Sequence, residues 1–105
     1  MSEDTIYQII ISEKAKRMLG IHIRFIAQVS RTATQKKKNE LLSAIHSLST
    51  MPQRFPFLEA EYIPSNKYHQ MPVQKWYLIL YQIKDNIVYV DYILDCRQDY
   101  TWLLD

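Results

Sequence analysis

Two long β-prone segments separated by only two residues constrain the fold of this chain more than any other feature. They span residues 76–84 and 87–95, and the dipeptide Asp85-Asn86 lies between them. Both turn residues tolerate positive φ, so the dipeptide predicts a two-residue β-hairpin turn. This turn fixes a register in which Tyr81 faces Val90.

Alternation along the hairpin predicts two chemically different faces. The same phase places Ile79 opposite Tyr92, and Tyr77 opposite Leu94. One face is apolar throughout and has to be covered by other elements; it comprises Tyr77, Ile79, Tyr81, Ile83, Val88, Val90, Tyr92 and Leu94. The other face is mixed and is expected to meet solvent or a partner; it comprises Leu78, Leu80, Gln82, Tyr89, Asp91, Ile93 and Asp95.

The N-terminal half provides two amphipathic helices as the cover. Residues 7–11 form a short β-prone run, and Ser12 after it is a helix-start signal because its hydroxyl can accept an unpaired backbone N–H. Apolar residues then recur at helical spacing over residues 15–29. Residues 32–35 have the spacing of a capping box, which predicts a second helix ending at about Ser49. The short link between the helices predicts an antiparallel pair.

The order of elements predicts the fold class. Residues 50–64 hold three of the four prolines and predict an irregular connector, and residues 67–71 are a candidate strand. We therefore predict an α+β fold of order β-α-α-β-β-β, with two N-terminal helices packed on one face of a mostly antiparallel four-stranded sheet. A length of 105 residues suits a single domain covering residues 1–105.

Composition excludes several classes of protein. An apolar fraction of 48% and a charged fraction of 23% exclude a disordered chain. No apolar run approaches the roughly 18 residues of a membrane helix, and residues 1–4 are acidic where a signal peptide is basic. One cysteine cannot form an internal disulfide, and no Cys/His spacing suits zinc. We expect a cytoplasmic protein that needs no metal and no cofactor.

The motifs, taken in order, resemble those of the RelE/ParE toxin superfamily from about Tyr7 to Leu104. They are Met51-Pro52 after the second helix, Lys67-Tyr68-His69, Tyr77-Leu-Ile-Leu-Tyr81 and Ile93-Leu-Asp-Cys-Arg97-Gln-Asp99. The resemblance implies a toxin of a type II toxin–antitoxin, or plasmid-stabilisation, module that is neutralised by an antitoxin encoded alongside. In this superfamily, RelE-like members cut messenger RNA on the ribosome without a metal. ParE-like members act on DNA gyrase and lack the nuclease residues.

The resemblance also implies a set of candidate catalytic residues. Lys67 and His69 fall where the RelE-like basic groups of the second strand belong, Arg97 matches the arginine after the last strand, and Tyr100 lies near the C-terminal tyrosine. His69 would act as base or acid because its reference pKa is near 6.5. Arg97 would clamp phosphate, and Tyr100 would donate a proton or stack on a base. Leu78 stands where the family's third-strand arginine is expected.

Three functions are therefore open at this point. The first is an mRNA interferase, a ribosome-dependent endoribonuclease that inhibits translation through these four residues. The second is a non-catalytic inhibitor of DNA gyrase. Leu78 favours it, and so does the zero net charge of residues 66–100, because RNA binding draws on neutralised phosphates. The third is an inactive toxin that acts as a protein-interaction module or homodimer through the mixed sheet face.

The charge distribution predicts the character of a protein partner. Residues 1–54 carry nine Lys/Arg and four Asp/Glu, a net charge of +5, whereas residues 55–105 carry four Lys/Arg and seven Asp/Glu, a net charge of −3. The basic helical half suits an acidic, disordered partner that becomes ordered on binding. We therefore expect an acidic antitoxin to bind the chain.

Overall fold

The backbone forms one mixed sheet with two helices packed against it. The computed structural model describes residues 6–28, 30–61, 63–74 and 77–95. The elements are β1 (Gln8–Ile11), α1 (Glu13–Ala27), α2 (Arg31–His46), β2 (His69–Val73), β3 (Tyr77–Lys84) and β4 (Ile87–Asp95). The strand order is β1-β4-β3-β2, with β1 parallel to β4 and the other pairs antiparallel. The predicted α+β fold and its mostly antiparallel sheet are confirmed.

Helix α1 begins where β1 ends and continues along the same edge of β4. The Ser12 hydroxyl accepts from the backbone N–H of Ala15 at 3.0 Å, so the predicted N-cap is confirmed. The backbone N–H of Ser12 donates to the carbonyl of Val90 at 2.9 Å. Farther along, His22 Nε2 lies 2.7 Å from the carbonyl oxygen of Ile93. Since β1 pairs only with residues 87–90, these contacts place α1 beside the remaining part of that strand edge.

The N-cap of helix α2 lies two residues before the start of the predicted capping box. Ser30 has the extended backbone that an N-cap requires (φ −159°, ψ 124°), and its hydroxyl accepts from Ala33 N–H at 3.1 Å. Thr32 already lies in the first turn, so the predicted capping box was wrong. The helix ends at His46 and continues as a 3₁₀ turn over Ser47–Ser49, which confirms the predicted end of the helical segment.

The β3–β4 hairpin contains a bulge that the sequence pattern did not reveal. Close to the turn, Tyr81 pairs with Val90 as predicted, and Asp85 adopts a φ of 56°. The register then shifts between Leu80 and Tyr81, and Leu80 faces Tyr92. Asp91 is therefore one extra residue on β4. Beyond it, each side chain of this strand lies on the face opposite to the one that the unbroken register predicts.

The bulge overturns the predicted faces of the last four residues of β4, Tyr92 to Asp95. Ile79 faces Ile93 and Tyr77 faces Asp95, so the predicted pairings of Ile79 with Tyr92 and of Tyr77 with Leu94 were wrong. Ile93 packs in the core on the helix side of the sheet, which we call the inner face. Tyr92 and Leu94 pack on the opposite side, the outer face.

The connector, residues 50–64, covers the part of the outer face around Leu80 and Leu94. Leu80 and Leu94 are 0% and 1% exposed, and Leu58 and Ile63 of the connector pack against the same cluster. The expectation that Leu80 and Ile93 are displayed on an open face was therefore wrong.

The connector is attached to the free edge of β2 by backbone hydrogen bonds. Gln70 N–H donates to Pro56 C=O at 2.9 Å, and Leu58 N–H donates to Tyr68 C=O at 2.7 Å. At its start, the guanidinium of Arg54 donates to the carbonyl of Thr50 at 2.6 Å. Arg54 thus satisfies carbonyl groups that the end of a helical segment leaves unpaired. In the described residues, no helix is long and apolar enough to span a membrane.

The position of the α2 N-cap can be tested by mutation. We expect Ser30→Ala to lower the free energy of unfolding by about 1 kcal/mol, because the first turn loses its side-chain acceptor. Thr32→Ala is the matched control and should change it by less than about 0.5 kcal/mol, since Thr32 is an exposed first-turn residue. Urea denaturation followed by circular dichroism measures both. A larger loss for Thr32→Ala than for Ser30→Ala would contradict this cap.

Candidate functional site

The predicted site residues occupy different parts of the molecule. Arg97 and Tyr100 lie outside the described residues. His69 is the first residue of β2 and stacks on Tyr81 of the inner face. Lys67 precedes β2, and its Nζ lies 5.4 Å from the ring centroid of Tyr68, a residue of the outer-face cluster. The structure therefore directs Lys67 and His69 to opposite sides of the sheet.

His69 is buried in an aromatic enclosure. It is 8% exposed, and its ring lies between Phe57 and Tyr81 with centroid distances of 4.2 and 5.2 Å. Its Nδ1 is 2.7 Å from the carbonyl oxygen of Phe55, and because a carbonyl can only accept, Nδ1 carries the proton. This bond links the connector to β2. The assignment of His69 as a catalytic acid or base stays a prediction.

Tyr81 makes a second buried contact with the connector. Its hydroxyl donates to the carbonyl of Pro52 at 2.6 Å, and the side chain is fully buried. Burial raises the pKa of Tyr81 to about 12, although the nearby positive charge of Arg54 acts in the opposite direction. The phenol therefore stays neutral and serves as a hydrogen-bond donor.

The outer face carries a polar and aromatic cluster centred on the bulge residue Asp91. Its carboxylate accepts from Gln82 Nε2 at 2.8 Å and from the hydroxyl of Tyr68. Burial, and then the negative charge of Asp91, raises the pKa of Tyr68. The rings of Tyr68 and Tyr92 meet edge to face at 5.8 Å. Lys14 Nζ lies 4.6 Å from the Tyr92 ring centroid and donates to its hydroxyl at 3.2 Å.

This cluster holds two cations and one anion, so it has a single excess positive charge. Two lysine ammonium groups, from Lys14 and Lys67, lie on aromatic rings, and a carboxylate lies between the hydrogen-bond donors of the cluster. An anionic ligand would be repelled by Asp91 at short range. Sequence reasoning missed the cluster because Tyr92 reaches it only through the bulge. Among the described residues, no group of three or more His, Cys, Asp or Glu could hold a metal ion.

Comparison with known proteins identifies the family. The model of the ParE toxin of the type II toxin–antitoxin system parDE matches residues 9–100. The chain belongs to the ParE toxin family. The predicted membership of the RelE/ParE superfamily is confirmed, and the chain is a toxin of the type II kind.

A solved structure supports the fold of this ParE-family toxin. A chain described as "Chromosomal ParDE TA system from P. aeruginosa" is similar, with a TM-score of 0.71 and 11% sequence identity. The match covers 87% of the present chain and 97% of that chain. At this identity it shows a shared fold alone. None of the curated proteins compared with the sequence matches it.

Leu78 has a packing role in the ParE-family toxin. It lies opposite Leu94 on the outer face and packs, partly buried, against the cluster formed by Tyr68, Leu80 and Leu94. The position where the RelE-like resemblance implies an arginine is therefore filled by an apolar contact. No guanidinium reaches the outer face from this position.

The buried Tyr81 hydroxyl predicts a loss of stability in alkali. Its pKa is raised in the folded state, so its contribution is complete below the unfolded value of about 10 and disappears as the pH rises through about 12. Tyr81→Phe should cost about 1 kcal/mol at pH 7 because the Pro52 carbonyl loses its donor. The variant should then lose less unfolding free energy than the wild type between pH 10 and 12. Equal alkaline losses, measured by urea denaturation, would contradict this assignment.

Proposed function

We propose that this ParE-family toxin arrests growth by binding DNA gyrase and does not itself cleave RNA. We also propose that a cognate acidic antitoxin neutralises it. The observation that carries the proposal is the environment of His69, which is buried and hydrogen-bonded to the Phe55 carbonyl. The gyrase assignment comes from the ParE side of the superfamily.

RNA cleavage needs groups that converge on one phosphate. A base has to take the proton of the ribose 2′-OH, cations have to stabilise the developing charge, and an acid has to protonate the leaving oxygen. His69 has one ring nitrogen bonded to a backbone carbonyl and both ring faces against aromatic rings. Lys67 lies on the other side of the sheet. This arrangement favours a toxin that acts by binding.

The electrostatics of the outer face point in the same direction. RNA affinity comes largely from neutralised phosphates, so an RNA-binding face needs an excess of cations. Here Lys14 and Lys67 exceed Asp91 by only one charge, and Leu78 fills the place of an arginine. A protein target has no such requirement, since its surface can pair with both the lysines and the carboxylate.

Two parallel assays test the proposal. Purified toxin at micromolar concentration is incubated with DNA gyrase and relaxed plasmid, and separately with ribosomes and a defined messenger RNA. We expect inhibited supercoiling and trapped gyrase–DNA cleavage complexes in the first assay, and intact transcripts in the second. Cut transcripts together with unimpaired supercoiling would overturn the gyrase proposal and favour cleavage by Arg97, His69, Lys67 and Tyr100.

Lys67→Ala serves as the matched variant for both assays. Lys67 is exposed and lies outside the strands, so the substitution should leave the fold intact. If the toxin acts on gyrase as proposed, the variant should inhibit supercoiling within about threefold of the wild type, as expected for one rim charge of an interface. A loss of toxicity that tracks a loss of RNA cleavage would instead show that Lys67 is part of a nuclease site.

A further inference from the structure

Gly20 lies inside α1, where the fold itself gives no reason for a glycine. Glycine in a helix is less favourable than alanine because its unfolded chain has more conformational freedom. A Cβ atom built at Gly20 would meet no heavy atom within 4 Å. Neither packing within the chain nor a left-handed backbone therefore requires glycine here.

The surface around Gly20 combines exposed apolar area with unpaired cations. Five residues of α1 line a shallow depression: Lys16, Arg17, Gly20, Ile21 and Arg24. Ile21 is 60% exposed. Lys16 forms an ion pair with Glu13 at 3.4 Å. Throughout the described part of the chain, the Arg17 and Arg24 side chains make no ion pair or hydrogen bond.

We propose that the Gly20 surface, formed by Arg17, Gly20, Ile21 and Arg24, docks an acidic amphipathic helix of the antitoxin. The missing side chain at Gly20 lets a second backbone approach α1 closely, since the distance between packed helices depends on the side chains at their contact. Ile21 offers apolar contact beside this point. The two guanidiniums flank it and can each bind a carboxylate through two hydrogen bonds.

Charge decides between this occupant and the alternatives. A symmetric contact between two copies through this surface would bring Arg17 and Arg24 of one chain against the same residues of the other, and such like-charge contacts are unfavourable. A nucleic acid would match the arginines but not the exposed apolar side chain of Ile21. An acidic helix with an apolar stripe matches both features. The identity of this helix rests on the proposed antitoxin.

Calorimetric titration of the full-length toxin with the antitoxin encoded beside it tests the inference. Gly20→Gln should weaken binding at least about tenfold, as for a central interface position, while the melting temperature of the free toxin stays equal or rises. Arg17→Glu combined with Arg24→Glu should weaken binding by a larger factor and reduce its salt dependence. Lys36→Glu combined with Lys38→Glu, an equal charge reversal at two exposed sites on α2, is the control and should stay within about threefold.

The possible failures can be told apart. If the antitoxin binds and rescues growth on co-expression, but the Gly20 and arginine variants bind within threefold of the wild type while folded, the docking surface is wrong and the antitoxin proposal stands. If the wild-type toxin does not bind the antitoxin, both fail. If sedimentation shows a toxin dimer that Gly20→Gln abolishes, the surface belongs to a second copy, and the inference is overturned.

Discussion

One inserted residue in β4 controls the chemistry of both faces of this sheet. Asp91 has no partner position on β3, so Val90 lies opposite Tyr81 and Tyr92 lies opposite Leu80. The shift moves Ile93 into the inner core and brings Tyr92 to the outer face. It also leaves the Asp91 carboxylate beside Gln82, within a polar cluster. Bulges commonly redirect a side chain in this way.

The second organising contact is between the connector and the inner aromatic residues. His69 and Tyr81 each hydrogen-bond a connector carbonyl, from Phe55 and Pro52 respectively. Both side chains are buried, so each bond forms away from water, where an unpaired carbonyl would be costly. A histidine that looks catalytic in the sequence thus has a structural partner. This is the main reason that the binding mechanism is preferred to RNA cleavage.

The candidate site was partly accessible to sequence reasoning. The absence of an arginine at Leu78 is visible in the sequence, and it agrees with the apolar packing found there. The burial of His69 was not visible, because a strand residue is assigned to a face only when the register and the covering segment are known. The polar cluster around Asp91 was hidden for the same reason. Arg97 and Tyr100 stay predictions.

The sequence by itself determined the secondary structure and the fold class. Apolar spacing, the Ser12 cap and the Asp85-Asn86 turn are local signals, and each depends on neighbours within a few residues. Tertiary structure alone decided the phase of β4 beyond Asp91, the cover of the outer face and the enclosure of His69. These features depend on contacts between distant segments, such as Leu58 with Tyr68 and His22 with Ile93. Most residues of β4 are apolar or aromatic on both faces, so its sequence does not reveal that a bulge shifts the strand by one residue.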